Sequence, residues 1–171
     1  MKEELVEVFN KKIYVDVSEW RGNRVKELKG TQREKIDELK KIVIEENIDM
    51  FLDIGTNYGE FAISLVDLNI PIICFEPNPI CVEMLNKTFK NMNDVNPLPK
   101  NILLKIDVEG FEDEVLEGCK NLLNKCKWKA LVEINPQAIK KAKKKWGEGD
   151  ILNNFNAKKY KDFGSDIIIG N

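Results

Sequence analysis

Four acids stand where short apolar segments end: Asp53 in FLDIGTNYGEF, Glu76 in PIICFE, Asp107 in NILLKIDV and Glu133 in KALVEI. Gly55 and Gly59 follow the first of them. They let the backbone turn sharply and let a ligand approach closely. A helix that begins after such a turn offers free N–H groups to a ligand carboxylate or phosphate. Glu76 lies 21 residues beyond Gly55, the spacing at which a strand-end acid grips ribose hydroxyls in doubly wound nucleotide folds. The chain has no histidine. Proton transfer near neutral pH therefore falls to Asp, Glu, Lys, Tyr, Cys or water.

The elements that must position these acids alternate along the chain. KIYVDV alternates in polarity as a strand does, and SEWRGNR after it has the composition of a turn or loop. Thr31 precedes Glu34 by three residues, as in a capping box, and Ile36, Leu39, Ile42 and Val43 then recur at helical spacing. MFLDI, PIICFE, NILLKIDV, KALVEI and SDIII are expected strands. Between them fall helical patterns in EFAISLVDL, NPICVEML, EDEVLEGCKNLLNK and the basic QAIKKAKKKW. Asn78 is the expected N-cap of the second, with Pro79 at its first position.

This alternation predicts an α/β fold, a mainly parallel Rossmann-like sheet with helices on both faces. The expected organisation is one domain, with residues 1–48 as an N-terminal helical extension and 49–171 as the core. Right-handed crossovers bring the strand C-termini to one edge, where ligands bind at the switch point. Asp53, Glu76, Asp107 and Glu133 should therefore meet there.

Bulk properties exclude several classes. A chain of 171 residues holds one domain with a real core. Its net charge of -2, from 27 basic and 29 acidic residues, gives no global field for nucleic acid. No apolar run reaches membrane-spanning length, and MKEELVEVF does not have the form of a secretory signal. Cys74, Cys81, Cys119 and Cys126 form no Cys-x-x-Cys pair. They suit buried thiols in a reducing cytoplasm, with Cys119 and Cys126 on one helix face, and without a Cys-x-x-Cys pair or any histidine a zinc site has poor support. The lysines of KKAKKK fit a solvated helix face.

The glycine turn also discriminates between nucleotides. A dinucleotide fingerprint would want glycine at Asn57 and Glu60, and Asp53 and Glu60 would repel a pyrophosphate. No phosphate loop of the G-x-x-x-x-G-K-[ST] type is present. S-adenosylmethionine fits better, with an adenosine for Glu76, no phosphate, and a cationic ammonium and sulfonium. The alternative is that Asp53 only caps the turn and Glu76 is a solvated strand end.

FLDIGTNYGEFAISL, ICFEPNP, LLKIDVEGFEDEVLEGCKNLL and LVEIN resemble successive motifs of the FkbM-type S-adenosylmethionine-dependent methyltransferases. That resemblance spans about residues 50–136. It implies a class I methyltransferase fold and O-methylation of a hydroxyl on a small molecule or sugar. Carried over by motif, Asp53, Gly55, Asn57 and Gly59 would hold the methionine part of the cofactor, and Glu76 the ribose. Asp107 and Glu109 would lie near the methyl group, one of them as base, and Glu133 and Asn135 would line the substrate side. Asp107, Glu133 and Asn135 are also hard oxygen ligands of the kind that hold magnesium or calcium. Alternatively, Asp107 and Glu109 cap the following turn, with Lys105 as partner. Between FEPNP and KIDVEG the family has a longer segment, so either the fold is shortened by one strand–helix unit, as expected here, or the sequence lacks a piece at this place. A shortened module that binds the cofactor or a nucleoside without catalysis is the alternative function.

Overall fold

Apolar residues dominate the central strands on both faces, as a parallel sheet covered by two helix layers requires. The computed structural model describes residues 1–89 and 99–171. The chain opens with a hairpin of β1 (Glu3–Val8) and β2 (Lys11–Asp16), followed by α1 (Trp20–Leu28) and α2 (Arg33–Glu45). The core then runs β3 (Met50–Ile54), α3 (Glu60–Leu65), β4 (Ile72–Phe75), α4 (Pro79–Thr88), β5 (Asn101–Ile106) and α5 (Glu112–Leu123). It ends with β6 (Lys127–Glu133), α6 (Pro136–Lys141), α7 (Glu148–Asn154), β7 (Lys158–Asp162) and β8 (Asp166–Gly170).

The main sheet has six strands in the order β4-β3-β5-β6-β8-β7. β4, β3, β5 and β6 are mutually parallel. β8 runs antiparallel to both β6 and β7. Two-residue periodicity sorts the strand side chains between two cores. Leu52, Leu104 and Ala130 pack on one face with Leu116 and Leu123 of α5 and Ile151 of α7. Phe51, Leu103 and Leu131 pack on the other with Ile36 and Leu39 of α2 and Phe61 of α3. Each such large apolar side chain contributes about 1.5–3 kcal/mol when buried.

Several expectations need correction in the N-terminal region. The extension is not purely helical, because β1 pairs with β2 from Glu3↔Asp16 to Val8↔Lys11. SEWRGNR is not a loop: α1 begins at Trp20 and packs Val25 into a core with Val6, Ile13 and Val15. Its Gly22 is required there, since a Cβ would come within 2.1 Å of the Asp16 carbonyl oxygen. Thr31 does not cap α2, whose N-cap is Gln32 without a side-chain bond. Instead its backbone N–H and hydroxyl donate to Glu60 at 2.8 and 3.1 Å.

Elsewhere α4 starts as expected, with the Asn78 side chain accepting from Ile80 N–H at 3.0 Å and Pro79 following. The basic segment after Pro136 is helical only to Lys141, and α7 and β7 were not anticipated. α5 stops before Cys126, so Cys119 and Cys126 do not share a helix. All four thiols are free. Among the described residues, β4 is the outer strand of its side of the sheet. Part of the segment expected to be shortened, residues 90–98, lies outside the described residues. No helix among the described residues is long and apolar enough to cross a membrane.

Gly55 is the tightest point of the fold. Its φ is +77°, and a Cβ there would lie 1.8 Å from the Asp107 carbonyl oxygen, which is backbone and cannot yield. Gly55→Ala is expected to lower the unfolding free energy by at least about 2 kcal/mol, from left-handed strain plus displacement of the β5 end. Urea titration followed by circular dichroism measures this, and a midpoint equal to wild type would contradict the packing.

Candidate active site at the C-terminal edge of the sheet

Because β4, β3, β5 and β6 are parallel neighbours, their C-terminal ends form a row: Glu76, Asp53, Asp107, Glu133. The connection from β3 to β4 runs to one side and the β5 to β6 connection to the other. The switch point therefore lies between β3 and β5, where the glycine turn leaves the sheet.

Within the turn, Asn57 takes a left-handed φ of 54° and its side chain accepts from Tyr58 N–H at 3.0 Å. Tyr58 is buried against Val6, Ile13 and Met84, so it packs rather than lining a pocket. The chain itself fills the Cβ side of both turn glycines: Asp107 at Gly55, and Leu85 and Phe89 of the α4 end at Gly59. Glu76 steadies the turn from the neighbouring strand. It accepts Asn57 N–H at 2.7 Å and Asn78 N–H at 2.9 Å, one on each carboxylate oxygen. Each oxygen keeps a second lone pair for a hydroxyl. Glu60 points away from this site, held by Thr31 and by Arg21 at 3.2 Å. It anchors the N-terminal extension and adds nothing to a ligand pocket.

Asp53 is fully buried, and neither carboxylate oxygen has a hydrogen-bond partner among the described residues. The nearest cation is Lys105 Nζ at 3.6 Å, which also lies 3.5 Å from Asp107 and donates to the Gly55 carbonyl at 2.6 Å. Burial raises the Asp53 pKa, and the Lys105 charge opposes that shift.

The DVEG turn after β5 is closed by Glu112, a residue the sequence did not single out. Its buried carboxylate accepts Val108 N–H at 2.9 Å and Gly110 N–H at 3.2 Å. The available signal was its place in the first turn of α5, where an acid can reach back to free N–H groups. Glu109 sits at the tip of the turn, exposed, with φ of 56°. Asp107 is partly buried, with Lys105 as its ion-pair partner.

Glu133 is different. Its Oε2 is buried without a partner among the described residues. Burial first, then the charges of Asp107, Asp166, Glu109 and Glu112, push its pKa up from 4.5 to about 7. Across the sheet it faces Asp166, which is ion-paired to Lys35 at 2.6 Å. Asn135 caps α6, accepting from Gln137 N–H at 3.0 Å and Ala138 N–H at 3.3 Å. Its amide NH2 remains the group with which it could meet a substrate. Among the described residues, no three His, Cys, Asp or Glu side chains are grouped to hold a metal ion.

A doubly wound sheet with an antiparallel strand beside β6 and an acid row at its switch point defines the class I methyltransferase fold. Structures of that class superpose on it. The N-methyltransferase NodS of Bradyrhizobium japonicum aligns with a TM-score of 0.57 at 11% identity, covering 81% of this chain and 93% of NodS. NodS solved with S-adenosyl-L-homocysteine aligns at 0.56 and 10% identity, covering 81% and 85%. An O-methyltransferase candidate of Nostoc punctiforme aligns at 0.55 and 13% identity, with 80% of this chain spanning 55% of that protein. At these identities the likeness is one of fold. In sequence, residues 98–161 match the model of the methyltransferase FkbM domain, the family that the motifs resemble. That match includes β5, the DVEG turn and β6 but not the glycine turn. No curated protein matches the chain.

The raised pKa of Glu133 has a consequence for stability. Between pH 4.5 and about 7 the folded protein keeps a proton on Glu133 that the unfolded chain has lost. Stability from this group therefore falls as pH rises through that window. Glu133→Gln should remove that fall, so its urea midpoint should gain on wild type between pH 5 and pH 8. A parallel pH dependence in the two proteins would refute the assignment.

Proposed function

We propose that the protein is an S-adenosylmethionine-dependent methyltransferase acting on a hydroxyl of a small molecule or sugar. The row of Glu76, Asp53, Asp107 and Glu133 along one sheet edge carries this reading. It surrounds a glycine turn without the G-x-x-x-x-G-K-[ST] pattern of a phosphate loop. Glu76 and the turn would hold the adenosine and methionine ends of the cofactor. The Asp53 carboxylate, without a hydrogen bond among the described residues and only partly offset by Lys105 at 3.6 Å, suits a cationic ligand nearby. S-adenosylmethionine supplies a methyl group on a sulfonium, an electrophile that needs no acid to activate it.

The remaining chemistry is removal of the hydroxyl proton. Asp107 and Glu109 are the sequence-based choices for the base. Glu133 fits that task better, because a carboxylate with a pKa of about 7 both accepts a proton and is half ionised at neutral pH. Glu109, on the solvated tip of the turn, lacks that environment. Asp107 would then hold the hydroxyl beside Glu133, and the Asn135 amide would bound the site. The second reading, a binding module without catalysis, rests on β4 being the outer strand among the described residues, where a class I sheet continues.

Calorimetric titration with S-adenosylhomocysteine should show binding. Glu76→Ala should weaken that binding by about 1–3 kcal/mol, with the urea midpoint of the same variant separating a lost ribose contact from a loosened turn. No binding to the wild type would sink the reading. With a panel of hydroxyl acceptors, methyl transfer should rise with pH through an apparent pKa near 7, and Glu133→Gln should abolish that rising limb. Binding without transfer to any acceptor would favour the non-catalytic module.

A further inference from the structure

Beside the β6 end of the acid row lies a groove of opposite charge. Its cavity is about 570 Å³, with Ile134, Ile139 and Trp146 as an apolar floor and Lys140, Lys143 and Lys145 around it. No carboxylate lines it. Those three lysines are exposed, and none has an ion-pair partner among the described residues. Lys144 differs from them. It pairs with Glu114 and lies over the Phe111 ring, and so braces the loop against α5.

The groove is fixed to the candidate active site rather than lying elsewhere on the surface. Trp146 Nε1 donates to the Gly110 carbonyl of the DVEG turn at 3.1 Å. A Cβ on Gly110 would fall 2.7 Å from the Ala138 carbonyl oxygen and 3.0 Å from the Ala142 Cβ, so α6 rests directly on that turn. After α6 the chain reverses at Lys143, whose φ is 59°, while Lys144 N–H donates to the Ile139 carbonyl at 3.0 Å. That reversal returns Trp146 to the groove floor. Ile134, on the same floor, is the residue after Glu133.

We infer that this groove binds an anionic group, a phosphate or carboxylate, on the methyl acceptor. The inference rests on the methyltransferase reading and adds the acceptor's chemical class. The two charged surfaces would orient such a molecule. Its anion is repelled by Asp107, Glu109 and Glu133 and attracted by the lysines, which leaves a neutral hydroxyl to face the acids. The apolar floor, with the Trp146 ring, provides a surface for the body of the acceptor.

Trp146 fluorescence offers the test, with Trp146→Phe to identify its signal. Glucose 6-phosphate and glucuronate, one for each source of the anion, are compared with glucose. At least one anion is expected to shift the emission while glucose does not, and 0.5 M salt should suppress the shift. Lys140→Glu/Lys143→Glu/Lys145→Glu should weaken anion binding by about tenfold or more. The same variant should still bind S-adenosylhomocysteine as wild type does, which shows that it is folded. Equal responses to glucose and the anions, no response to any, or unchanged anion binding in the triple variant would overturn the inference. Loss of S-adenosylhomocysteine binding in wild type, with anion binding intact, would instead count against the cofactor reading alone.

Discussion

One buried ammonium holds the working edge of the sheet together. Lys105 is a β5 residue with its side chain almost fully enclosed, and its Nζ meets the Gly55 carbonyl, Asp53 and Asp107. A lone ammonium in such a place is costly to desolvate, and so is the fully buried Asp53. Together they offset each other, and the carbonyl of the turn completes the set. The consequence is geometric. Lys105 fixes the turn leaving β3 to the end of β5, across the switch point of the sheet. Gly55 reinforces this, since only a residue without Cβ lets the Asp107 carbonyl pass so close.

Around that fixed point the other carboxylates divide their work. Glu76, Glu112 and Glu60 are spent on backbone N–H groups or on the N-terminal extension. They hold turns and elements in place. Glu133 has no such partner for its buried oxygen, and burial first, then the neighbouring acids, keep its proton on to near-neutral pH. The same sequence feature, an acid at or near a strand end, thus yields structural tethers in some places and a carboxyl of raised pKa in another. Hydrogen-bond satisfaction and desolvation decide which.

The edge is also electrically graded. The acid row runs from Glu76 to Glu133, and the lysine groove begins where the row ends. The chain's net charge of -2 hides this gradient, because basic and acidic residues are nearly equal in number. Local separation of charge, rather than net charge, gives such a site its direction.

The alternation of strands and helices, the caps at Asn78 and Pro79, and the alignment of four acids on one edge were all legible in the sequence. They follow from local periodicity and from the handedness of parallel crossovers, which nearby residues determine. KIYVDV was legible as a strand, but β1 and its pairing with β2, α1 and α7 were not, because their short patterns take their meaning from packing against distant elements. Thr31 shows the limit clearly. Its spacing to Glu34 has the form of a cap, yet the buried Glu60, distant in sequence, takes its hydrogen bonds. So does Glu133, which the sequence grouped with the other strand-end acids as a substrate contact. Its residue type and position were fixed by sequence, but its proton affinity comes from burial and from Asp107, Asp166, Glu109 and Glu112. Those neighbours are brought together only by the folded sheet, and desolvation acts only once they are.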